Sequence, residues 1–195
     1  MSVATARLAC MDRDKLITQV RAGDPIKYVF FWGAVPRPDD RVSASCLSQW
    51  WHSPFVVGGV HYATAEHWMM ASKARLFGDP EAERLALAAG HPAEAKRVGG
   101  LVRGFDEEVW RRERSGIVRT GNVHKFAQHP DLRAFLLGTG GRVLVEASPM
   151  DRIWGIGLTA DDERAADPPR WRGLNLLGFA LMEAREELRA GVPAV

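Results

Sequence analysis

Punctuation constrains this chain more than any single motif does. Nineteen glycines and eleven prolines are spread along its 195 residues, and charged residues interrupt every hydrophobic run between them. Glycine adopts the left-handed conformations that end helices, while proline blocks a helix interior and suits its first turn. Such a pattern excludes long uniform elements. It predicts short helices and a few short strands, gathered into an α+β, mostly helical single domain, and the length fits one large domain.

Tyr28-Val-Phe-Phe-Trp32 is aromatic and β-branched and reads as a buried strand. Residues 33–40 hold two prolines and two aspartates and read as a loop. Residues 43–54 read as a loop with one helical turn. Phe55-Val-Val57 and Val60-His61-Tyr62, joined by Gly58-Gly59, form a tight hairpin. Thr64 caps a helix over residues 65–77. Asp79-Pro80 opens a second helix that Gly90 stops, and a third runs from Pro92 to Gly99-Gly100. Residues 106–128 carry a longer helical pattern that Gly116 and Gly121 break or kink. Residues 130–137 form another helix, Val143-Leu-Val145 a strand, 149–172 a long loop, and 175–190 the closing helix. Residues 1–23 are an N-terminal extension, either flexible or a short helix, and residues 24–191 are the domain.

Hydrophobic residues make up 46% and charged residues 26%, enough for a full core. The net charge of +2 gives no basic stripe of the kind that marks strong nucleic-acid binders. Two cysteines, Cys10 and Cys46, exclude a disulfide framework and point to a reducing, cytoplasmic setting. Residues 1–13 lack an apolar signal core, and no stretch reaches the ~18–20 apolar residues of a membrane span. Neither GxGxxG nor GxxxxGK[ST] occurs, which disfavours a Rossmann enzyme or a P-loop NTPase. His61 and His67 are six apart, so HExxH is absent; no metal and no cofactor are expected.

The richest segment runs from Tyr62 to Lys73. Glu66 lies in the first turn of its helix, where the macrodipole and free N–H groups favour an ionised carboxylate. Such a group suits a base, a nucleophile or a stabiliser of positive charge. Lys73, seven residues on, returns to nearly the same face about 10 Å along the axis. The two residues can flank one pocket, although a first-turn Glu is equally a feature of ordinary surface helices. A second segment, Glu146-Ala-Ser148-Pro149-Met-Asp151-Arg-Ile-Trp154-Gly155-Ile-Gly157, sets an acid and a tryptophan in a glycine-rich loop after a strand. Trp154 can stack on a base and Asp151 can hold a sugar hydroxyl, or they form a capped turn and a core ring. Asn175 reads first as an N-cap. His67 either orients a neighbour or is hydrogen-bonded in the core. Arg119, His124 and Lys125 form a basic helix face, solvated or facing phosphate.

Together these blocks resemble the YbiA-like family, also called NADAR. The carriers are Tyr62, Thr64, Glu66, His67 and Lys73-Ala; Lys125-Phe with Gln128-His129-Pro130 and Leu132-Arg133; Leu144-Val-Glu146; Asp151-x-x-Trp154-Gly-x-Gly157; and Asn175 with Gly178, Leu181, Met182 and Arg185. They span about residues 28–188. The resemblance implies an N-glycosidase with Glu66 as the central catalytic residue and Asp151 and Trp154 in the same pocket. Lys73 would bind phosphate or form a Schiff base with the sugar, and Trp50, His67 and Asn175 are counted as substrate-binding. Where the family often has Ser-Asn-Phe, this chain has Ser48-Gln49-Trp50, and residues 157–175 are long and proline-rich. Both segments are expected to border the pocket.

Three functions remain open at this level. One is hydrolysis of a phosphoribosylamino-pyrimidine, an intermediate of riboflavin synthesis, which makes a phosphorylated ribosyl small molecule the partner. Another is removal of ADP-ribose from guanine in nucleic acid, and the mild net charge leans against it. The last is a non-catalytic module that binds ADP-ribose or a related nucleotide.

Overall fold

Two strands that are distant in sequence set the frame. β1 (Tyr28–Phe31) pairs in parallel with β4 (Val143–Glu146), and Phe31 stands opposite Glu146. Apolar side chains dominate both strands, and Val143, Leu144 and Val145 are buried, as expected of parallel pairs covered by helices. The computed structural model describes residues 11–35 and 41–191. The expectations for residues 1–10, including Cys10, and for the part of the first loop at 36–40 lie outside the described residues.

The helices follow the punctuation. They are α1 (Arg13–Arg21), α2 (Ala65–Leu76), α3 (Pro80–Ala88), α4 (Pro92–Gly99), α5 (Glu107–Gln128), α6 (Pro130–Gly138) and α7 (Leu176–Arg189). The side chains of Thr64, Asp79 and Asp106 accept hydrogen bonds from backbone N–H groups of the first turns of α2, α3 and α5. α3, α4 and α6 each begin with proline. β2 (Phe55–Val57) and β3 (Val60–Tyr62) make the expected hairpin, with Gly58 and Gly59 at φ +56° and +79°. That pair of positive angles suits glycine at both turn positions.

α5 runs unbroken through Gly116 and Gly121, contrary to the expected break. A β-carbon at Gly121 would meet Trp68 Cδ1 at 2.2 Å, so this glycine admits a ring from α2. α5 packs on α7 and α2, and α7 also covers β4. Within residues 1–23, α1 is tied down where Arg13 donates to the carbonyls of Pro168, Pro169 and Trp171. No helix among the described residues is long and apolar enough to cross a membrane. The architecture is α+β and mostly helical, with short strands only.

Of the basic face expected on α5, only Arg119 keeps contact with solvent. His124 and Lys125 are buried, and Lys125 Nζ donates to the carbonyls of Cys46 at 2.7 Å and Ser48 at 2.9 Å. The ammonium ties together the irregular backbone around the 3-10 turn Ala44–Leu47, where the Ser48 carbonyl also accepts from the Trp51 N–H at 3.3 Å. Burial pushes its pKa down to about 7. Arg119 is ion-paired with Glu187 at 3.2 Å.

Candidate active site

The carboxyl ends of β1 and β4 open on a cavity of about 570 Å³. Glu66 comes to it from the first turn of α2, Glu146 from the end of β4, and Asp151 and Trp154 from the following loop. Ser48, Gln49 and Trp50 form another wall, held from below by Lys125. Lys73 and Trp110 line the far side, while Trp32, Met150 and Lys96 sit at its exposed rim. The size is typical of small-molecule sites.

Glu66 is 3% exposed, and its Oε1 has no hydrogen-bond partner. Its backbone N–H donates to the Gln49 carbonyl at 3.0 Å, which locks the first turn of α2 to the Trp50 wall. Burial raises its pKa to about 7; Lys96 and a hydrogen bond from Trp50 pull it down, and Asp151 pushes it up. The helix macrodipole was expected to keep this carboxyl readily ionised. Desolvation wins instead, because the end of a helix supplies only a partial charge whereas burial removes the solvent shell of a full one.

Glu146 belongs to the same group. Burial first, then the charges of Asp151 and Glu66, raise its carboxyl to about 8, and its Oε2 is buried without a partner. Asp151 uses Oδ1 to accept from the N–H groups of Ile153 at 2.8 Å and Trp154 at 2.7 Å. It therefore caps the turn and also lines the cavity, so the two roles read from sequence coexist. Trp50 and Trp154 present ring surface to the cavity, and Trp50 also meets His91 edge-on at 5.8 Å.

Lys73 reaches the cavity in a different setting from Glu66. Its Nζ donates to the Gly99 carbonyl at 2.8 Å and lies 4.2 Å from the centre of the Phe105 ring. Burial lowers its pKa. The cation that tempers Glu66 is Lys96 on α4.

Two substrate-binding expectations are corrected. His67 Nδ1 accepts from Thr64 Oγ1 at 2.8 Å, and Nε2–H donates to the Ala89 carbonyl at 3.0 Å, so both ring nitrogens are used inside the protein. Asn175 is fully buried, and its amide donates to the Leu144 carbonyl at 2.9 Å while its oxygen accepts from the Glu146 N–H at 3.0 Å. It does not cap α7 with its side chain, because φ of +57° turns that side chain toward β4. Neither residue lines the cavity. The segment after Gly157 is corrected as well: its Trp171 is buried and donates to the Ala165 carbonyl, and residues 158–174 contribute no lining group.

Sequence reading missed Glu146, Lys96, Trp32 and Trp110 as lining residues. For Glu146 a signal was present, an acid ending an otherwise apolar strand just before a glycine-rich loop. Lys96 carries no such mark on its short amphipathic helix. Among the described residues no group of three or more His, Cys, Asp or Glu is arranged to hold a metal ion.

The comparisons with known proteins give the family and the fold. The NADAR domain pattern matches residues 30–189. An N-glycosidase of Acanthamoeba polyphaga mimivirus is 42% identical over 166 residues, which is 83% of this chain and 96% of the relative. The chloroplastic riboflavin biosynthesis protein PYRR of Zea mays is 35% identical over 140 residues, 68% of this chain but 21% of that longer protein. The NMR structure of Escherichia coli YbiA superposes with a TM-score of 0.67 at 27% identity, covering 85% of this chain and 86% of YbiA. With a pattern match over residues 30–189, relatives of this identity and a shared fold, the chain belongs to the NADAR domain family of N-glycosidases.

Proposed function

We propose that the chain hydrolyses the N-glycosidic bond of a phosphoribosylamino-pyrimidine or a closely related ribosyl nucleotide. The observation that carries this reading is Glu66, a buried carboxylate with a partnerless oxygen facing a tryptophan-lined cavity. Breaking such a bond develops oxocarbenium character at the anomeric carbon, and a carboxylate held beside it stabilises that charge or takes the proton of the attacking water. A carboxyl whose pKa is about 7 is suited to act as a base near neutrality.

In this reading Trp154 and Trp50 stack on the base, and the free oxygen of Asp151 accepts from a ribose hydroxyl. Lys73 meets the phosphate, or attacks the anomeric carbon as an amine, for which its lowered pKa is favourable. The maize relative is named a riboflavin biosynthesis protein, which supports a substrate drawn from that synthesis. The acids, tryptophans and lysine of this reading all line one cavity.

The test is parallel incubation with a phosphoribosylamino-pyrimidine and with DNA carrying ADP-ribosylated guanine, following base release by chromatography. Release from the pyrimidine nucleotide, abolished in Glu66→Ala, is the expected result. Release from the DNA alone, weakening steeply with salt, would transfer the reading to nucleic acid. Binding without release from either would leave a non-catalytic module.

A further inference from the structure

We propose that Glu146 is a catalytic residue, the general acid that protonates the departing base nitrogen while Glu66 takes the proton of the attacking water. The proposal rests on the hydrolase reading above and assigns the second proton transfer that the reading leaves open.

Three observations place Glu146 in that role. It lines the same cavity as Glu66, and its Oε2 is buried with no partner inside the protein. Such an oxygen is costly unless a bound group completes its hydrogen bonding. Its backbone is held on both sides: the N–H donates to Asn175 Oδ1 at 3.0 Å, and the carbonyl accepts from the Ile156 N–H at 2.9 Å. A β-carbon at Gly155 would stand 2.8 Å from that same carbonyl, so the Trp154-Gly155 turn closes tightly over the strand end. The Asn175 and Gly155 positions, read from sequence as a cap and a loop glycine, together fix the direction of one carboxyl.

The surroundings separate the two acids. Glu146 faces Asp151 from its own loop and Glu66 from α2, with Lys96 of α4 as the cation that opposes them. Glu66 faces Asp151 and, reciprocally, Glu146, but it has the hydrogen bond from the Trp50 indole as well as Lys96 on its side. The two acids titrate as a pair, and the indole N–H holds the charge on Glu66, the side that has a donor, so the shared proton resides on Glu146 and makes it the donor and Glu66 the acceptor.

The step balances. The C–N bond breaks as the Glu146 proton passes to nitrogen, and a C–O bond forms as water gives a proton to Glu66. The products are the free amine of the base and the ribosyl hydroxyl. Proton return from Glu66 to Glu146 restores the starting state without an outside donor.

A leaving group that needs no protonation tests this. Glu146→Gln and Glu66→Gln are compared on the amine-leaving nucleotide and on a 4-nitrophenyl ribofuranoside 5-phosphate. Glu146→Gln is expected to lose about 10²–10⁴-fold in kcat on the amine substrate, to stay within about tenfold of wild type on the nitrophenyl substrate, and to lose the alkaline fall of the kcat profile. Glu66→Gln loses both activities. Equal losses of Glu146→Gln on both substrates, or no loss on the amine substrate, overturn the acid role while leaving the hydrolase reading intact. Absence of wild-type turnover on every N-ribosyl substrate overturns both. Should Glu146→Gln not fold by circular dichroism, Glu146→Asp carries the same comparison, with the amine substrate again the more impaired.

Discussion

Replacing Glu66 by Gln should strengthen the fold in proportion to pH while abolishing turnover. In the folded chain the carboxyl holds its proton up to about pH 7, whereas an ordinary Glu releases it near 4.5. Each step of one pKa unit is worth about 1.4 kcal/mol, so ionising Glu66 inside the fold costs about 3 kcal/mol. The folded state binds more protons than the unfolded state between these values, and stability therefore falls as pH rises through that window. The Glu66 contribution is fully favourable below pH 4.5 and levels off above about pH 7. Gln keeps the shape and can still accept from Trp50, but has no charge to bury. Urea unfolding of both chains at pH 5 and pH 8 measures the effect. The variant should gain about 2.5 kcal/mol relative to wild type between the two conditions. Glu146 titrates in both chains, and removing the Glu66 charge eases its ionisation, which adds to the gain in the same direction. A stability difference that is the same at both pH values would refute the claim that desolvation controls this carboxyl.

Other outcomes follow from packing. Asn175→Ala should lose about 3–5 kcal/mol in urea unfolding, since it strips two buried backbone groups of partners and strains a left-handed position. Asn175→Gly should recover about 1 kcal/mol of that loss, the conformational part. Gly121→Ala should cost about 1–3 kcal/mol, because its methyl would overlap the Trp68 ring. Gly116→Ala, on the same helix with open space around it, should stabilise by about 0.5–1 kcal/mol. A thermal melt of the pair shows whether their signs are opposite, as this difference in space demands.

The sequence alone determined the local grammar of this protein, because caps, prolines and hairpin glycines act within a few residues of themselves. Thr64, Asp79-Pro80 and Gly58-Gly59 each predicted an element that forms where expected. The sequence also carried the ordered blocks that place the chain in its family and put Glu66, Asp151 and Trp154 beside one cavity. Tertiary structure decided everything that depends on distant partners. Pairing β1 with β4 set Glu146 beside Glu66, although 80 positions of chain separate them. Burial, invisible to any local window, raised the Glu66 carboxyl instead of leaving it readily ionised and made Lys125 an internal support instead of a surface charge. It also turned Asn175 from a helix cap into a clamp on β4, since a side chain that can satisfy two buried strand groups gains more there than at a helix end open to water.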